Sequence, residues 1–126
     1  FNEHEVLINV KANLEKFELK NSKVKLKNFD KFLTEQKENL VYLSLDSSDK
    51  YKLFISIYLP NLSLISLKNY SIESIDLDNK LNLTRFSKLM FVYLSHNQIR
   101  NVKRSYFSNL INLIDLDLSF NQIELI

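Results

Sequence analysis

The chain has 126 residues, a formal charge of +2, and 45% hydrophobic and 12% aromatic residues. That is one domain's worth of core-forming side chains, with too small a basic excess to argue for nucleic acid. It has no Gly and no Cys, which excludes phosphate-cradling loops, dinucleotide fingerprints and nucleophile elbows, and also disulfides, thiolate nucleophiles and Cys zinc sites.

Residues 1–13 come first. Glu3, His4 and Glu5 stand where a cleavable signal would carry a basic end and an apolar stretch. The segment reads as a partial repeat or N-terminal edge, with VLINV supplying an edge strand. The chain opens on Phe rather than Met, as a processed product or an excised piece would. No apolar run downstream reaches the roughly 18 residues of a membrane span.

From Leu14 onward one pattern recurs. LEKFELKNSKV places Leu14, Phe17, Leu19, Ser22 and Val24 at positions one, four, six, nine and eleven of a unit. Asn28 to Glu38, with Phe29, Phe32 and Leu33, is the best helix candidate, and its charge content also permits a surface loop. LVYLSLDSSDK repeats the pattern with Leu40, Leu43 and Leu45, but has Ser48 at the ninth position and Lys50 at the last. LSLISLKNYSI gives Leu62, Ile65, Leu67 and Ile72, with Tyr70 at the ninth position and Asn69 displaced by one. LMFVYLSHNQI gives Leu89, Val92, Leu94, Asn97 and Ile99, and LIDLDLSFNQI gives Leu113, Leu116, Leu118, Asn121 and Ile123. Units therefore start at 14, 40, 62, 89 and 113, the last one incomplete. Between the final two, Ile99, Val102, Phe107 and Leu110 are spaced to fill a returning side, echoed upstream by Leu83, Phe86 and Leu89.

This L-x-x-L-x-L-x-x-N-x-L wording, at periods of 22 to 27 residues, resembles the leucine-rich repeat family. The I-x-x-I-x-x-x-x-F-x-x-L-x-x-L stretch is similar to its extracellular, animal-type subclass, including Toll-like receptor ectodomains and mosquito leucine-rich immune proteins. The resemblance runs from about Leu14 to the end and is strongest in the last two units. It implies an α/β solenoid: a right-handed superhelix with a parallel concave β-sheet and short helical or irregular convex segments.

The physics agrees. Positions three to five alternate as a short half-buried strand does. No unit buries its apolar face alone, so stability comes from the stack. Asn97 and Asn121, leaving their strands, offer both a carbonyl and an amide, suited to satisfying backbone groups of their own turn and the next. The Cys-rich caps usual in such ectodomains are missing, and the chain stops in mid-repeat, so it reads as a segment of a longer protein or a truncated copy. The last layer, Leu116, Leu118 and Ile123, is expected to be exposed.

Positions three, five and seven face away from the core. Position three reads Lys16, Tyr42, Leu64, Phe91 and Asp115; position five, Glu18, Ser44, Ser66, Tyr93 and Asp117; position seven, Lys20, Asp46, Lys68, Ser95 and Ser119. An apolar, aromatic middle with charged edges suits a protein interface. Tyr42, Leu64, Phe91 and Tyr93 are the candidate anchors of a protein partner, and Asp115 and Asp117 the residues that steer its basic part. The competing reading is an exposed sheet whose aromatics only support neighbouring strands.

Asp115 and Asp117 lack an evident third ligand, His4 and His96 are far apart, and Arg100, Lys103 and Arg104 read as a solvated face. No catalytic residue, cofactor, metal or nucleic acid is expected. The sequons at Asn61, Asn69 and Asn82 are close to chance number. The resemblance implies a non-catalytic protein-recognition module of a secreted or cell-surface, receptor-like protein of the innate-immunity kind, with any membrane anchoring supplied from outside this sequence. The alternative is a cytoplasmic scaffold or adaptor, which the lack of Cys suits.

Overall fold

The computed structural model describes residues 5–7, 13–22, 25–27, 29–47, 58–75, 81 and 83–124. Val24, Ser48, Lys50 and Asn82 lie outside these residues. Five strands form one parallel sheet in chain order: β2 (Lys16–Ser22), β4 (Tyr42–Ser47), β5 (Leu64–Lys68), β6 (Phe91–Tyr93) and β7 (Asp115–Asp117). Each pairs with its predecessor in the same phase, so Phe17, Leu43, Ile65, Val92 and Leu116 form one register row. The parallel sheet of the α/β repeat reading is present.

One backbone device sets that register. The N–H groups of Val41 and Tyr42 both donate to the Glu15 carbonyl, and those of Ser63 and Leu64 to Val41. Met90 and Phe91 repeat this on Ser63, and Ile114 and Asp115 on Met90. Each unit thus uses its second carbonyl to fix the second and third amides of the next unit. The polar backbone entering the sheet is satisfied at every step without a side chain.

Alternation follows from the strand period of two. Leu43, Leu45 and Ser47 of β4 are buried while Tyr42, Ser44 and Asp46 are half-buried. Ile65 and Leu67 of β5 and Val92 of β6 are buried in the same way. These residues join Leu40, Leu62, Leu89 and Leu94 in one apolar core. Leu116 is 38% exposed, and Leu118 and Ile123 are half-buried, so this layer is less covered than those before it.

α1 (Phe29–Gln36) lies inside the 28–38 segment expected to be helical. Phe29, Phe32, Leu33 and Gln36 are buried, at the i, i+3, i+4, i+7 spacing of one helical face. Phe32 packs against Phe17 of β2 with ring centres 4.8 Å apart, and Gln36 Oε1 accepts from the Leu14 N–H at 2.8 Å. The other side of the fold carries two 3₁₀ turns, Leu83–Arg85 and Arg104–Tyr106. Leu83 and Phe86 are buried there, as are Ile99, Val102 and Leu110. Tyr106, not counted among these positions from sequence, is also buried, while Phe107 is only half-buried. The tighter three-residue turn explains the change, because it brings residue 106 round to the core side.

The start of VLINV forms a strand, as expected, but it lies outside the main sheet. β1 (Glu5–Leu7) does not edge the main sheet; it pairs in parallel with β3 (Lys25–Lys27) in a separate two-stranded sheet. The remainder of VLINV, residues 8–10, lies outside the described residues.

Candidate recognition surface

The register sets two rows side by side on the sheet face opposite the core. Lys16, Tyr42, Leu64, Phe91 and Asp115 are successive partners across the strands, as are Glu18, Ser44, Ser66, Tyr93 and Asp117. The spacing between parallel strands is about 4.8 Å, so each row runs unbroken across the five strands. All six residues singled out from sequence therefore share this face. Tyr42, Leu64, Phe91, Tyr93 and Asp117 are half-buried and Asp115 is exposed.

The aromatics are not equivalent. Tyr42 is tied to the first unit: its hydroxyl donates to Glu18 Oε2 at 3.2 Å, and the Lys16 ammonium lies 4.5 Å from its ring centre. Phe91 and Tyr93 lean on each other with ring centres 6.3 Å apart. The Tyr93 hydroxyl donates to Asp115 Oδ2 at 3.1 Å. Partial burial, together with the bond and charge of Asp115, raises the Tyr93 phenol above its ordinary value. It therefore stays a neutral donor at any physiological pH.

Charge separates along the rows. Glu18 lies between Lys16 at 3.8 Å and Lys20 at 3.4 Å. Burial alone would raise its carboxyl, but the hydrogen bond and charge of Lys20, then Tyr42 and Lys16, leave it lowered. At the opposite end, neither Asp115 nor Asp117 has a cationic partner among the described residues. Asp117 accepts from the Ser119 N–H at 2.9 Å, and that residue, followed by the His96 charge, lowers its carboxyl. One end is thus internally neutralised, and the other presents two carboxylates with no ion pair among the described residues. No group of three metal-ligating side chains stands among the described residues.

The two asparagines hold the strand exits. Asn97 is buried, and its Nδ2 donates to the carbonyls of Leu67, Leu94 and Ser95 at 2.8, 3.1 and 3.2 Å. Its Oδ1 accepts from the N–H groups of Tyr70 and Ile72 at 2.9 and 3.2 Å. Asn121 Nδ2 donates to Leu94, Leu118 and Ser119, and its Oδ1 accepts from Ile99 N–H at 3.0 Å. Both side chains reach back to the preceding unit, not forward to the next. Asn69 Nδ2 donates to the Ser47 carbonyl at 2.7 Å, while Tyr70, at the ninth position, is buried.

Sequence reading missed position eight of the unit. Asn69, His96 and Phe120 occupy position eight of their units, and each has left-handed backbone, with φ of 67°, 58° and 54°. Gly is the usual residue in that conformation, and Asn and His tolerate it better than most, but Phe120 carries no such mark.

Residues 87–126 match a family model described as Leucine rich repeat. The matched stretch contains β6, β7 and both LS-x-NQI segments. No curated protein matches the chain. Repeats of this family are in general non-enzymatic protein-binding modules. Among the described residues, no helix is long and apolar enough to cross a membrane.

Proposed function

We propose that this chain is a non-catalytic recognition module of a secreted or cell-surface leucine-rich repeat protein, binding a protein partner through the concave face of its sheet. One observation carries the reading. The strand register gathers Leu64, Phe91 and Tyr93 into a half-buried patch beside two carboxylates that make no ion pair among the described residues. Aromatic anchors at a desolvated centre supply most of the energy of such contacts. Asp115 and Asp117 speed the approach of a basic partner and reject an acidic one. Tyr42, engaged by Lys16 and Glu18, closes the other end of the patch.

The extracellular assignment is supported by the 24-residue spacing and the wording of residues 99–113. The cytoplasmic scaffold draws on the absence of Cys. Intact mass of the native protein before and after glycosidase treatment separates the two.

The binding reading is tested with Phe91→Ala and Tyr93→Ala as baits beside the parent chain and a Lys103→Ala control. A protein held by the parent and the control should lose at least about 2 kcal/mol of affinity to each of the first two variants. Added salt should slow its association. If both variants fold normally and keep the partner, this face is not the site.

A further inference from the structure

Just past the ends of β5, β6 and β7 lies a recess of about 170 Å³, lined by Asn69, Ser71, His96, Asn97, Gln98 and Phe120. We infer that it is a binding site for a single neutral hexopyranose ring, separate from the two rows of the sheet face.

Three observations carry this. The His96 and Phe120 rings stack nearly parallel, with centres 4.3 Å apart and planes at 18°. Phe120 is 73% exposed, so a flat apolar surface stands in water with no core to fill. The left-handed backbone at position eight is what holds both rings there.

The second observation is the polar lining. Among the described residues the Gln98 side chain makes no hydrogen bond, and only the nitrogen of the Asn69 amide is engaged. Asn97 contributes packing alone, because both ends of its amide are committed to backbone. The free carboxamide atoms both donate and accept, as sugar hydroxyls require. An aromatic or aliphatic side chain in the same place would strip water from these groups and return no hydrogen bond.

The third observation concerns size and charge. The recess is well below the roughly 300–1,000 Å³ of sites for drug-sized ligands, and one ring suits it better. No carboxylate, ammonium or guanidinium lines it, and its one ionisable side chain, His96, is stacked on Phe120 and already interacts with the Asp117 carboxylate, so the lining favours a neutral ligand. A pyranose has one apolar C–H face for the aromatic wall and hydroxyls at its edge for the amides.

The experiment is saturation-transfer NMR on the 126-residue chain with the methyl glycosides of glucose, galactose and mannose, and with N-acetyltyrosine amide as the peptide-like probe. At least one glycoside should receive saturation on its ring protons, and N-acetyltyrosine amide none. Phe120→Ala should weaken that glycoside about tenfold, and Gln98→Ala should weaken it measurably. Both side chains lie outside the core, so unfolding midpoints should stay near the parent value. Phe91→Ala and Tyr93→Ala should bind the glycoside unchanged, which keeps this test apart from that of the sheet face. Tighter binding of a trisaccharide than of its terminal sugar would assign a glycan end, and equal binding a free sugar. Silence from every glycoside overturns the inference. So does a signal indifferent to Phe120→Ala, or binding of N-acetyltyrosine amide alone.

Discussion

Asn97 makes five hydrogen bonds, three of them to the preceding unit, and its removal would leave the buried N–H groups of Tyr70 and Ile72 without an acceptor. Asn97→Ala should therefore lower unfolding free energy by about 1–3 kcal/mol in urea titration. Asn121→Ala should cost less, because that side chain is only part-buried and accepts from a single N–H. Equal and negligible losses would mean that water replaces the amide. Tyr70 supplies a second residue-scale test. Burial, then the charge of Asp46, pushes its phenol up from 10.0 to about 12. A raised folded value means stability is fully present below pH 10 and is lost as pH rises through about 12. The loss should be on the order of 2 kcal/mol, and Tyr70→Phe should remove that alkaline step from the difference between variant and parent midpoints.

At the scale of elements, α1 covers the first unit through a cluster of three rings. Phe17, Phe29 and Phe32 lie within 6.2 Å of one another, centre to centre. Phe32→Ala should cost about 3–5 kcal/mol by opening a cavity there, read from the denaturation midpoint. The helix was legible in sequence because Phe29, Phe32 and Leu33 share a face. Gln36 was not, because a polar residue on that face has no apolar signature; it is buried for its bond to the Leu14 amide. The strands were legible wherever Leu, Ile or Val recurs with period two. The strand β1 pairs with β3 instead of extending the main sheet, a choice that local pattern does not encode.

Across the whole molecule, stability in a stack is a sum over neighbouring layers, so the same position should matter differently along it. Ile65 and Val92 are fully buried between layers, whereas Leu116 is 38% exposed. Ile65→Ala should cost about 2–5 kcal/mol, and Leu116→Ala about 1 kcal/mol or less. Equal costs would show that Leu116 is covered in solution.

The recurrence of LSHNQI and LSFNQI was enough to determine the repeat, its register and which side chains face away from the core. Period-two burial leaves only one phase in which every Leu row meets another. The six residues of the candidate surface follow from that phase alone. Tertiary structure decided the rest. It turned both asparagines back to the preceding unit, neutralised Glu18 while leaving Asp115 and Asp117 without an ion pair among the described residues, and stacked His96 on Phe120. The asparagine bonds and the ring stack join residues 22 or more apart in the chain or rest on left-handed backbone, and the Glu18 ion pairs need the strand that puts Lys16 and Lys20 on the same side as Glu18.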